Sequence, residues 1–115
     1  MMNTLLPYYA ALLAGILFGI AGQVLLKTGA ERSVGMMGQF LDPFTILGFV
    51  TYSIAAVFYI IAIKKIPISQ AFPSVSVSYV IVAVLGHLLW GEPLGWPQIA
   101  GLALIAGGIL LLHQT

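Results

Sequence analysis

Four stretches of this sequence, 3–26, 44–63, 66–86 and 93–112, hold no Asp, Glu, Lys, Arg or His. Each runs for roughly 20 residues or slightly more, and at about 1.5 Å rise per residue such a helix crosses the ~30 Å hydrocarbon core of a bilayer. Membrane strands in a barrel alternate apolar and polar residues over about ten positions, and these runs do not alternate. The sequence therefore reads as an all-α membrane protein, a single domain of four transmembrane helices at about 4–26, 44–63, 67–90 and 94–113. No Lys or Arg precedes the first run, which is also longer than the apolar core of a secretory signal, so it reads as a retained helix.

With 61% hydrophobic and 6% charged residues among 115, four spans and short turns use the whole length, leaving no soluble catalytic domain. A net charge of +1 gives neither a basic face for nucleic acid nor an acidic tail. Cysteine is absent, which removes disulfides and thiol chemistry. Two distant histidines and three carboxylates near the loops form no metal-ligand cluster, so neither cofactor nor metal is expected and no enzyme is indicated. Transport, lipid handling and assembly are the classes that remain.

The segment 27–43 carries Lys27, Glu31, Arg32 and Asp42 and is the longest connection. Lys64 and Lys65 make one tight turn, and Gly91, Glu92 and Pro93 another, so sequential helices lie antiparallel and adjacent. Orientation follows Lys and Arg on the two sides of the membrane. Lys64 and Lys65 lie on one side and Lys27 and Arg32 on the other, so the bias is zero. Two readings follow. The chain inserts both ways and two inverted copies build one pathway as an antiparallel dimer, or four charges are too few to decide and a partner sets the orientation. Four helices hardly enclose a substrate path by themselves, which calls for a second copy.

Small residues recur every four positions in the first helix at Ala11, Gly15 and Gly19, ending on Gln23. Such a stripe serves close helix packing or substrate approach. Gln23, an amide within a span, needs a hydrogen-bond partner and is a candidate cavity residue. Lys27, one turn on, either snorkels to the headgroups or meets a phosphate. In the second helix Tyr59 lies deep enough that its hydroxyl needs a partner, whereas Tyr52 serves equally well in packing.

The third helix is the most polar. Gln70, Ser74 and Ser78 share one face with Tyr79 nearby, and Pro73 cannot donate to the Ser69 carbonyl, so a kink is expected about there. His87 fits an interfacial hydrogen bond or a proton contact. Glu92 fits a headgroup contact or a favourable charge at the start of the fourth helix. That helix is bland and rich in small residues, and Gly101, Ala103, Leu104, Gly107 and Gly108 are assigned to a dimer contact.

These features resemble the small multidrug resistance family of the drug/metabolite transporter superfamily over nearly the whole length. The likeness rests on the Gly22, Gln23 and Lys27 region, Ile66-Pro67 followed by Ala71-Phe72, and the 101–109 run. The drug-exporting branch has a glutamate in the first helix at the position of Gly19. No carboxylate stands there or in any span, so the resemblance argues against proton-coupled drug exchange. Ala21-Gly22-Gln23, Ala71-Phe72-Pro73 and Trp90-Gly91-Glu92-Pro93 are closer in pattern to small aminoarabinose-phosphoundecaprenol flippase subunits. This branch implies a bacterial inner-membrane location, a membrane lipid or lipid-linked substrate and a dimer of identical or different chains. Gln23, Lys27, Tyr59, Gln70, Ser74, Ser78 and Tyr79 are the expected substrate contacts. The alternatives are a proton-coupled exporter of small cationic or polar compounds, using His87 or Glu92, and a non-transporting assembly subunit.

Overall fold

The computed structural model describes residues 2–112, which form helices and no strand. In chain order these are α1 (Met2–Arg32), α2 (Gly35–Leu41), α3 (Pro43–Ala62), α4 (Ile68–Val75), α5 (Val77–Trp90) and α6 (Trp96–Leu112). Three continuous apolar stretches are long enough to span a membrane, Thr4–Arg32, Pro43–Ala62 and Ile68–Trp90. The fourth, Trp96–Leu112, has 17 residues, at the short end of the usual range.

The boundaries differ from expectation for identifiable reasons. α1 runs past residue 26 because its polar end remains helical: Lys27 pairs with Glu31 one turn on at 3.0 Å, and Thr28 and Ser33 donate their hydroxyls to the Val24 and Gly29 carbonyls. The connection beyond it contains the short helix α2, none of whose residues is buried. Asp42 then starts α3, accepting the Phe44 N–H at 2.9 Å through one oxygen and Arg32 Nε at 3.1 Å through the other. The Arg32 guanidinium also lies 4.7 Å above the Phe44 ring, so the ends of the first two spans are clasped together. α6 begins at Trp96 because Gly91 leaves α5 in the left-handed region at φ 67° and the chain stays non-helical through Gly95. The expected end at residue 113 lies outside the described residues.

The third span does break, at Ser76 rather than beside Pro73. Ser78 Oγ donates to the Val75 carbonyl at 2.6 Å, the carbonyl that the Tyr79 amide would take in a regular helix. The Tyr79 amide bonds Ser76 instead, at 2.9 Å, and the helix tightens for one turn.

α1 and α3 are the most intimate pair. Their small residues meet at seven-residue spacing, Gly15, Gly22 and Gly29 on α1 with Gly48 and Ala55 on α3. This is the 3.5-residue period of a left-handed crossing. A Cβ on Gly22 would lie 3.2 Å from the Gly48 carbonyl oxygen, and one on Gly48 would lie 2.9 Å from the Leu26 amide. Gly48→Val is therefore expected to cost roughly 1–3 kcal/mol in overpacking, since backbone cannot yield. Thermal unfolding in detergent checks it, with Gly19→Ala as the control because nothing lies within 4 Å of a Cβ there.

Ala11, Leu12, Ala62, Ile66 and Ala71 form the buried core, at the end of the molecule bearing the Lys64 and Lys65 turn. The opposite end is held by ion pairs. Overall the chain measures 51 × 34 × 17 Å. Its thickness is less than two helix diameters of about 10 Å each, so the fold is a slab with open faces.

Candidate functional site

Between α1, α3 and the broken third span lies a cavity of about 710 Å³. From Leu12 to Gln23 along α1 it covers twelve residues, about 16 Å of helix, or half the hydrocarbon thickness. Gly19 lines its middle with open space above the backbone. The expected four-residue stripe on α1 thus serves both uses: Gly15 packs closely against the Ala55 carbonyl while also bordering the cavity, and Gly19 and Gln23 face it.

Of the expected contacts, Gln23, Tyr59, Ser78, Tyr79 and Glu92 are on the wall together. The Gln23 side chain makes no hydrogen bond among the described residues. The Tyr59 hydroxyl is buried without a partner among them, an arrangement that costs about 1–3 kcal/mol unless a polar group meets it. Tyr79 is half-exposed, and Ser78 keeps its proton on the Val75 carbonyl.

Lys27 does not line the cavity; it secures the rim. Its Nζ is 3.3 Å from Glu92 Oε2 and 3.0 Å from Glu31 Oε1, joining the first span to the turn before α6. Glu92 is a wall residue, so this ion pair sits at the cavity mouth. Three features aim Glu92. Its amide bonds the Gly86 carbonyl at 3.2 Å, its carboxylate folds back against Gly86, and its own carbonyl accepts a hydrogen bond from His87 Nδ1 at 2.9 Å. His87 therefore stabilises the turn, and that bond places its proton on Nδ1.

Gln70, Ser74 and His87 lie off the cavity wall. Ser74 is buried, with its hydroxyl donated to the Gln70 carbonyl at 2.7 Å. Wall residues that were not expected as contacts include Gly19, Tyr52 and Phe72. Tyr52 was recoverable, since it precedes Tyr59 by seven residues, the period of the α1–α3 seam. No group of three or more His, Asp or Glu able to hold a metal occurs among the described residues.

On α6 only Ile109 is buried, and a Cβ on Gly101, Gly107 or Gly108 would meet nothing within 4 Å. Ala103 is exposed and Leu104 is 78% exposed, so the face expected to form a dimer contact is not consumed within the chain.

Comparison with known proteins adds the family context. The model of the EamA-like transporter family matches residues 4–114. A protein of Escherichia fergusonii named "Probable 4-amino-4-deoxy-L-arabinose-phosphoundecaprenol flippase subunit ArnE" is 26% identical, over 93% of this chain and 97% of its own length. The correspondingly named subunit ArnF of Erwinia tasmaniensis is 30% identical over 85% of this chain and 93% of its own. An ArnE of Pseudomonas aeruginosa is 25% identical over 92% of this chain and 96% of its own. No solved structure matches the chain.

Proposed function

The chain belongs to the EamA-like transporter family, and on that footing we propose that it is one subunit of a flippase that carries a polyprenyl-phosphate-linked sugar, or a similar amphipathic substrate, across the membrane by alternating access as a dimer. It is a multi-pass protein of the bacterial inner membrane. The observation that carries the proposal is the cavity itself. Its polar wall groups are amide, hydroxyl and phenol, and its only charged residue is Glu92 at the mouth, held by Lys27. Such a wall suits a sugar. It has no carboxylate at mid-membrane to balance a buried cation, which would cost several kcal/mol.

Lys27 stands between two carboxylates. A lipid phosphate at the rim competes with Glu92 for Lys27, a charge-assisted contact. The freed Glu92 then accepts an ammonium group, so a zwitterionic headgroup replaces the ion pair without leaving a charge unpaired. The relatives' printed substrate, an aminoarabinose joined through phosphate to a polyprenol, has these two charges. The break at Ser76 supplies the hinge, with the apolar core closing one end of the cavity and the Lys27–Glu92 pair the other.

The slab shape and the unfilled α6 face support a second chain, a copy of this one or a paralogue. The zero Lys and Arg bias supports insertion of two copies in opposite senses. Adding two lysines to either terminus then locks orientation and lowers activity until an oppositely locked copy is supplied; full activity of each locked form alone contradicts it.

Exchange of a radiolabelled polyprenyl-phosphate sugar between leaflets, dependent on the reconstituted protein, tests the function. Absence of exchange with folded protein, both alone and together with a paralogous subunit, overturns it. Substrate-driven proton flux that vanishes in Glu92→Gln would instead indicate the cation exporter, and inactivity restored by a larger membrane partner would indicate the assembly subunit.

A further inference from the structure

A second, smaller hollow of about 330 Å³ lies between the third span and α6. Its wall is formed by Ala83, Leu94, Gly101, Leu102 and Ile105, and it shares Ala83 and Glu92 with the headgroup cavity. Gln98 also borders it, but its side-chain oxygen is engaged by the Gly95 amide at 3.0 Å. Glu92 is then the one charged group, at the junction of the two hollows and next to Lys27. A larger cavity that carries amide, hydroxyl and phenol groups on an otherwise apolar wall, and a smaller apolar cleft, meet at a charged pair, in the order of groups in the proposed substrate: sugar, phosphate, hydrocarbon chain.

We propose that the cleft between the third span and α6 is the binding site for the first isoprenoid units of the lipid, those next to the phosphate. This assignment rests on the flippase reading and adds to it a site for the chain. Continuity favours the isoprenoid over other occupants, because the two hollows share Ala83 and Glu92, so a chain leaving a phosphate at Lys27 enters the cleft past Glu92 without passing through the larger cavity. The cleft has room to receive it, since a Cβ on Gly101 would meet nothing within 4 Å. Gly101 thereby has a use within the substrate path, and the dimer contact falls to Ala103, Leu104, Gly107 and Gly108 further along α6.

The test compares two probes on purified protein in detergent: undecaprenyl-phosphate aminoarabinose, and the same amino sugar phosphate carrying a methyl group in place of the chain. Wild-type protein is expected to bind the long-chain probe more tightly. Gly101→Leu, whose side chain fills the cleft, and Leu102→Trp are expected to remove about tenfold of that advantage, as for losing about two buried methylenes, and to leave the methyl probe unchanged. An advantage that survives both substitutions overturns the cleft assignment. So does equal weakening of both probes, or loss of the dimer on size-exclusion chromatography in Gly101→Leu with the lipid preference intact, which would give the cleft to a second copy of α6. If neither probe binds folded wild-type protein, the flippase reading itself has failed.

Discussion

Lys27→Glu is expected to lower transport of the lipid-linked sugar about 100-fold, and Glu92→Lys in the same chain is expected to restore most of the loss. Losing a hydrogen bond to a charged group costs about 1.5–3 kcal/mol, or roughly ten- to a hundredfold. Reversal puts the effect at the upper end, because a third carboxylate would stand beside Glu31 and Glu92 where the phosphate must pass. With both residues exchanged, the rim again holds one ammonium and two carboxylates, and the 27–92 pair is restored with its signs reversed. The pair is in direct contact, so a double-mutant cycle on initial rates should show strong coupling. If Lys27 only snorkels to the headgroups, the single change costs little and the second change rescues nothing.

Gly19→Phe is expected to abolish transport, by at least about 100-fold, with no loss of thermal stability. The expectation comes from the different surroundings of neighbouring glycines. A side chain at Gly19 enters the cavity, whereas one at Gly22 meets Gly48 and Tyr52 at 3.2 Å. Gly22→Phe should therefore unfold the α1–α3 pair, as overpacked cores do. Transport rate and detergent melting temperature, measured on both variants, separate the cavity from the seam. Equal destabilisation by the two substitutions would mean that Gly19 is a packing glycine.

Much of this arrangement was legible in the residues. Charge-free runs locate the spans because an uncompensated charge in hydrocarbon is costly, and the turns at Lys64-Lys65 and Gly91 to Pro93 impose the hairpins. Pro73 points to a kink beside it, yet α4 runs on through Pro73 and the third span has its break further along. Its position at Ser76 was hidden because it depends on which carbonyl the Ser78 hydroxyl takes. The seam of Gly15, Gly22 and Gly29 was masked by the more conspicuous four-residue spacing of Ala11, Gly15 and Gly19. Only the facing register of Gly48 and Ala55 selects between the two periods. Lys27 was singled out as a substrate contact and Glu92 as a headgroup or proton contact, yet their ion pair joins distant parts of the chain, and no local pattern encodes that contact. The same holds for the cleft beside Gly101, which exists because α6 packs on the third span with only Ile109 buried.

The most direct measurement uses liposomes carrying a trace of polyprenyl-phosphate aminoarabinose in both leaflets and an amine-reactive reagent that cannot cross the bilayer. In protein-free liposomes the reagent modifies the outer leaflet and stops. With wild-type protein the inner pool is expected to become modified as well, at a rate proportional to protein, and Gly19→Phe is expected to return the trace to the protein-free level. An inner pool that stays protected beside folded wild-type protein, or a Gly19→Phe variant as fast as wild type, would contradict passage of the headgroup through this cavity.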